Sequence, residues 1–291
     1  MKYQVSHTPV VWNCGRFVFD WAKRTQPVVM GILNVTPDSF SDGGKHYSLK
    51  AAIARAHQMI DEGAEIIDIG GESSRPGAEP LTLQAELDRV IPVIEALKDC
   101  GVALSIDTYK AKTMQAAINS GIDILNDIWA FRQPHALEVA ASSKTVGVCI
   151  MHMQKDPQSM QFDPHYEDVV SEVNGFLIER AVALEDAGVI RERICLDPGF
   201  GFGKVPEHNL KMLKYFNVFT SHGLPVLAAI SRKTTLGLVT GRDKDHRMVA
   251  SVSAALMAIE RGAKIVRVHD VGQTIDAVKV WSATQAQSLN Y

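Results

Sequence analysis

Pro27-Val-Val-Met-Gly-Ile-Leu-Asn-Val-Thr-Pro-Asp-Ser-Phe-Ser-Asp-Gly-Gly44 begins as an apolar run, stops at Asn34, and gives way to a loop dense in Asp, Ser, Pro and Gly. Such a run reads as a buried parallel strand whose C-terminal end opens at a site. The pattern recurs seven more times along the chain. Ile66–Gly70, Val102–Asp107, Ile122–Asn126, Thr145–Met151, Ile194–Asp197, Pro225–Ile230 and Ala263–His269 each read as a strand, with helical stretches between them. Helices are expected from a Ser48 cap to Gly63, over Thr82–Lys98 with a kink or break at Pro92, and up to Ser120. Others are expected over Tyr166–Ala187, Glu207–Phe219, His246–Arg261 and Thr274–Ala286. Eight strands alternating with helices and no linker between them match a (β/α)8 TIM barrel, typically about 250 residues. A doubly wound open sheet is the alternative. It would gather polar strand ends at one switch point, whereas here nearly every strand ends in a polar or charged residue. Residues 1–26 read as a short alternating hairpin covering one barrel end, and residues 1–291 as a single domain.

Composition narrows the partners. The 291 residues are 46% hydrophobic and 22% charged, with a formal net charge of −3 and no basic block, which argues against nucleic acid. No apolar run is long enough to span a bilayer, and the N-terminus lacks a secretory pattern. Four scattered cysteines without a C-x-x-C pair fit a reducing cytoplasm.

In a barrel, the strand ends ring one mouth. Collected there are Asn34, Asp68, Asp107, Asn126, Met151, Asp197, Lys233, Arg267 and His269. Period-two geometry puts Arg267 and His269 on one side, as it does Ser105 with Asp107 and Ile124 with Asn126. Carboxylates and an amide on one wall suit a flat, nitrogen-rich edge that donates hydrogen bonds. Arg and His on another wall suit an anion. Taken singly, each has a plainer reading: Asp107 or Asp197 as a turn cap, Lys233 as a solvated charge, His269 as a structural histidine. Gly199-Phe-Gly-Phe-Gly-Lys204 lacks the spacing of a phosphate loop and reads better as a strand-ending turn with a site-lining aromatic. Met151-His152-Met153 reads as core or pocket lining rather than a metal site.

Asn34–Gly44, Gly70-Gly-Glu-Ser-Ser-Arg-Pro-Gly77, Asp197-Pro-Gly-Phe-Gly-Phe-Gly-Lys204, Ser231-Arg-Lys233 and Arg267-Val-His269 together resemble the dihydropteroate synthase family of pterin-binding enzymes. The resemblance extends from Pro27 over essentially the rest of the chain. It implies a (β/α)8 transferase of folate synthesis that uses Mg2+ and works as a homodimer. Such an enzyme joins 6-hydroxymethyl-7,8-dihydropterin diphosphate to 4-aminobenzoate and releases pyrophosphate. By the same resemblance Asp107, Asn126, Asp197 and Lys233 hold the pterin, and Met151 and Phe202 line its pocket. Arg267 and His269 take the diphosphate, and Asn34 is the protein's Mg2+ ligand. Phe40 and Ser74-Arg75-Pro76 close over the aminobenzoate, with Thr234 near its carboxylate. Two features depart from the family: Ser74 where Thr is usual, and the bulky Ile128-Trp-Ala-Phe131 after Asn126-Asp127. The competing readings are a pterin-dependent methyltransferase with a corrinoid partner, a non-catalytic pterin-binding paralogue, and a phosphate-ester isomerase. The first would not need the Asn34 loop or Ser231-Arg-Lys233. The second would lose Asn34, Lys233 or Arg267. The third would need a Lys or Glu base and no aromatic amine.

Overall fold

The computed structural model describes residues 10–35, 44–73 and 79–287, with the side chains of the first helix described from Leu49 onward. A hairpin, β1 (Val11–Cys14) and β2 (Phe17–Asp20), precedes eight parallel strands. These are β3 (Val28–Asn34), β4 (Ile66–Gly70), β5 (Ala103–Asp107), β6 (Ile124–Asp127), β7 (Gly147–Met151), β8 (Ile194–Asp197), β9 (Leu227–Ala228) and β10 (Ile265–Val268). The order β8-β7-β6-β5-β4-β3-β10-β9 is closed by a bridge between Leu196 and Val226, so the sheet is a barrel and not an open sheet. The helices are α1 (Gly44–Asp61), α2 (Leu83–Leu97), α3 (Ala111–Asn119), α4 (Ala136–Ser142) and α5 (Val169–Asp186), then α6 (Pro206–Lys214), α7 (Thr234–Thr240), α8 (Met248–Glu260) and α9 (Val271–Gln285).

Strand parity splits the core into two shells. Val29, Leu33, Ile67, Ile69, Leu104, Ile106 and Val266 face outward and pack with Val90, Ile94, Leu177 and Ala258 of the helices. Residues of the opposite parity, Met30, Ile66, Ala103, Cys149, Cys195 and Ile265, fill the barrel interior. Two-sided burial explains why these strands read as continuous apolar runs without alternation. The hairpin completes the inner shell: Trp12, Cys14 and Phe19 belong to it, and the Trp12 indole donates to the Arg193 carbonyl at 3.0 Å. Arg16 at the hairpin turn forks onto buried Asp123, with Nε to Oδ1 at 2.9 Å and Nη2 to Oδ2 at 2.7 Å. Replacing Arg16 with alanine leaves Asp123 with backbone donors alone. A loss of about 1–3 kcal/mol is expected in urea unfolding, discounted because the arginine is partly exposed. An unchanged midpoint would mean that the hairpin does not brace the barrel.

Three local expectations are corrected. Of the kink or break expected at Pro92, the break does not occur: helix α2 continues through it, because its Val90, Val93, Ile94 and Leu97 face packs into the outer shell and offsets the lost backbone bond. The run Pro225–Ile230 yields only the two-residue β9, since at the closure Leu196 meets Pro225 and Val226 by one hydrogen bond and one bridge. Helix α6 ends at Lys214 and not at Phe219, and a 3-10 turn follows over Phe216–His222.

Candidate active site at the C-terminal mouth of the barrel

The barrel register carries inward parity up each strand to the mouth. Asn34 pairs with Gly70, Gly70 with Asp107 and Asp107 with Asn126, which makes one run of the upper rim; Asn126 then pairs with Cys149, and Met151 with Asp197 stands one inward position further up the next two strands. One layer below sits Asp68, fully buried. Arg267, inward on β10, donates from Nε to Asp68 Oδ2 at 2.5 Å and from Nη2 to Asp107 Oδ2 at 2.8 Å. Burial works against the guanidinium charge, but the two carboxylates outweigh it, and Arg267 stays firmly protonated. Asp68 also accepts from Asn126 Nδ2 at 3.2 Å. A flipped amide would set oxygen against carboxylate, so Asn126 Oδ1 is turned toward the mouth as an acceptor. Reading the sequence placed Asp68 at the rim but gave it no role; it is the anchor that orients two of the expected ligand-binding residues. The available signal was its parity with Gly70, together with the rule that a buried carboxylate requires a partner.

Asp107 keeps its side chain 14% exposed, and burial pushes its carboxyl up to about 7, against the pull of Arg267 and with the help of Asp68. Asp197 is likewise raised by burial, opposed by the Gly199 N–H at 2.7 Å and by Lys233. Lys233 donates to the Phe200 carbonyl and lies 4.2 Å from the centroid of Phe202. Burial brings its amine down to about 8, with Asp197 resisting. Met151 packs with Ile128, Met153 and Met160, and Phe202 and Trp129 lean on the same cluster, giving the rim one apolar wall.

The loop after β8 is built around Lys204. Its buried ammonium donates to the carbonyls of Gly199 and Phe202, each at 2.9 Å, and meets His152 Nδ1 at 2.9 Å. The lysine thus ties the glycine-rich turn to the strand end at His152. Gly199 (φ +70°) could not be replaced, because a Cβ would lie 2.0 Å from the His152 carbonyl.

Across the mouth, Ser231 Oγ lies 3.0 Å from His269 Nδ1 and accepts the His269 backbone N–H at 3.2 Å. With the hydroxyl donating to Nδ1, the ring hydrogen sits on Nε2. Burial, reinforced by Arg267 and Arg232, takes the imidazole down to about 3, so His269 acts here as a neutral donor. Arg232 is tied to Asp270, Nε to Oδ2 at 3.0 Å. Thr234 begins α7 and is exposed. Asn34 Oδ1 faces the Gly70–Asp107 rung, 3.9 Å from where a Cβ on Gly70 would lie. Phe40, Ser74, Arg75 and Pro76 lie outside the described residues.

A ring-shaped polar mouth at the C-terminal end of a (β/α)8 barrel, with acceptors toward one wall and an ion-paired arginine and a histidine toward another, has the placement and composition of an enzyme site. Residues 30–269 match the family described as "Pterin binding enzyme". The dihydropteroate synthase of Haemophilus influenzae is 49% identical over 261 residues, covering 89% of this chain and 94% of its own length. The structure of Xanthomonas albilineans dihydropteroate synthase with 4-aminobenzoic acid superposes with a TM-score of 0.90 at 46% identity, covering 97% of this chain and all of that one. That of Burkholderia cenocepacia dihydropteroate synthase with 7,8-dihydropteroate gives 0.87 at 48% identity, covering 97% and 98% of the two chains. The chain belongs to the pterin-binding enzyme family, among its dihydropteroate synthases.

Proposed function

We propose that this protein condenses 6-hydroxymethyl-7,8-dihydropterin diphosphate with 4-aminobenzoate to give 7,8-dihydropteroate and pyrophosphate. The observation that carries the proposal is the single rim that joins Asp107, Asn126 and Asp197 to Arg267 and Lys233. The acceptors Asp107, Asn126 Oδ1 and Asp197 read the amino and ring N–H groups of the pterin, with Met151 and Phe202 against its faces. Arg267 and the neutral His269 donate to the diphosphate. The methylene C–O bond breaks and its electron pair leaves with pyrophosphate. The carboxylates of Asp107 and Asp197 favour the cationic methylene, and the amine lone pair closes the new C–N bond with loss of its N–H proton. No covalent bond to the protein is required. The loops carrying Phe40 and Ser74-Arg75-Pro76, with Thr234, hold the aminobenzoate.

The residues fit Mg2+ of the substrate-borne kind. Among the described residues no group of three or more His, Cys, Asp or Glu could cage a metal, whereas Asn34 offers a hard amide oxygen at the rim. Mg2+ keeps waters and phosphate oxygens and needs few protein ligands. Held by Asn34, it would supply charge neutralisation to the diphosphate.

The chain acts as one catalytic domain in a cytoplasmic homodimer. Supporting the dimer, Leu238, Val239 and Val249 stand exposed on the adjoining α7 and α8. No described helix is long and apolar enough to cross a membrane.

Incubation with both substrates and Mg2+ is expected to yield 7,8-dihydropteroate by chromatography; no product with either folded protein or higher enzyme concentration would overturn the proposal. Because pterin capture uses ionised Asp107 and protonated Lys233, kcat/KM for the pterin substrate should be bell-shaped. It should rise through about pH 7 as Asp107 loses its proton and fall above about pH 8 as Lys233 does. A profile flat across that range would remove the requirement for this charge pair.

A further inference from the structure

The bulky turn after β6 carries a backbone feature that the proposed chemistry does not use. Ala130 (φ 52°) and Phe131 (φ 56°) are consecutive non-glycine residues in the left-handed region, a conformation L-residues adopt singly and at a cost. Two charged side chains grip this turn from opposite sides. Asp127, buried at the end of β6, accepts the N–H groups of Trp129 at 2.8 Å and Phe131 at 2.7 Å. Arg180 on α5 donates to the carbonyls of Ala130 at 3.0 Å and Phe131 at 3.3 Å. With the Ala130 N–H donating to the Asp127 backbone carbonyl at 3.0 Å and Arg132 Nε to the Trp129 carbonyl at 3.0 Å, the N–H and C=O groups of residues 129–131 are all engaged, so the strain is held rather than relieved. The bend sets where two side chains point. Ile128 packs on Met151, Trp129 leans on the same cluster, and both border a cavity of about 230 Å³ that reaches Asp107. Arg132 supports the indole from behind, 5.2 Å from the Trp129 ring and 5.1 Å from that of Phe176, one helical turn before Arg180.

We propose that Arg180 and Asp127 are positioning residues for the ring-binding site, acting through Trp129. Their grip on residues 129–131 keeps the indole fixed as the wall of the cavity beside Asp107. The hydrogen bonds of Arg180 go to the bend and to none of the rim residues, so they act on the mouth through the bend. The identity of the ring as a pterin rests on the function proposed above; the transmission from Arg180 to Trp129 does not.

Steady-state kinetics of Arg180→Ala, Trp129→Ala and the double variant test the proposal, alongside wild-type protein assayed for product. Arg180→Ala should raise KM for the pterin diphosphate about tenfold, leave KM for 4-aminobenzoate within about twofold, and shift the melting temperature little. The double variant should be no worse than the poorer single variant, because both changes remove the same wall. An unchanged pterin KM, equal rises in both KM values, or fully additive effects would overturn it. Arg180→Gln, which keeps the stem and one donor, should show the same selective rise in smaller measure. It supplies the reading if truncation to alanine lowers stability, and a normal pterin KM in that variant would overturn the proposal equally. Failure of wild type to form product would instead strike the functional proposal, leaving the two distinguishable.

Discussion

Replacing Arg267 with alanine is expected to abolish measurable binding of the pterin diphosphate and to lower the unfolding free energy by about 3–5 kcal/mol. Both effects have one origin. The guanidinium is held by Asp68 and Asp107, and its removal leaves one wholly buried and one nearly buried carboxylate facing each other without a cation. The loss has a defined pH dependence. Asp107 already titrates near 7 with Arg267 in place, above the ordinary carboxylate value, and without the cation it moves higher. A folded-state pKa above the unfolded one means that the folded protein holds the proton more tightly, so the penalty for the ionised group is full at high pH and recedes as pH falls through the folded value. Urea unfolding at pH 8 and pH 5 should therefore show the larger loss at pH 8. An equal loss at both would contradict the pairing, and wild-type affinity for the pterin diphosphate would remove Arg267 from the site. Arg267→Lys, which keeps the charge but not the fork, should recover part of the stability and little of the binding.

Asp197→Asn should behave in the opposite sense, with activity lost and fold retained. The asparagine oxygen can still accept the Gly199 N–H, and a neutral side chain escapes the burial that raises the native carboxyl. Unfolding free energy is expected to change by less than about 1 kcal/mol. What disappears is the charge opposite Lys233 and, in the chemistry proposed above, the one that favours the cationic methylene, so kcat/KM should fall by about 10²–10³-fold. Near-wild-type turnover would rule out the role assigned to Asp197.

The parts of this molecule that were legible in the sequence are those governed by parity and burial. Ile66–Gly70 and Ile194–Asp197 are strands with the bounds read from their apolar runs, because each is buried on both faces and flanked by polar turns. Parity put Asp107 on the side of Ser105 and Asn126 on that of Ile124, and the strand register turns both inward. What was illegible depends on contacts distant in sequence. The Asp68–Arg267 pair spans 199 positions, and the Arg180 grip on Ala130 spans 50. No local pattern distinguishes a lysine that organises three carbonyls and a ring nitrogen, as Lys204 does, from one that binds phosphate. Pro92 could not exclude a break for a related reason: helix rules are local, whereas the packing that holds α2 together is not.

The central claim is that one mouth holds a pterin diphosphate and delivers its methylene to an aromatic amine. Pyrophosphate release from the pterin diphosphate, followed with and without 4-aminobenzoate and Mg2+, tests it most directly. Release should require the amine and the metal and match dihydropteroate formation mole for mole, whereas release that ignores the amine would contradict the account.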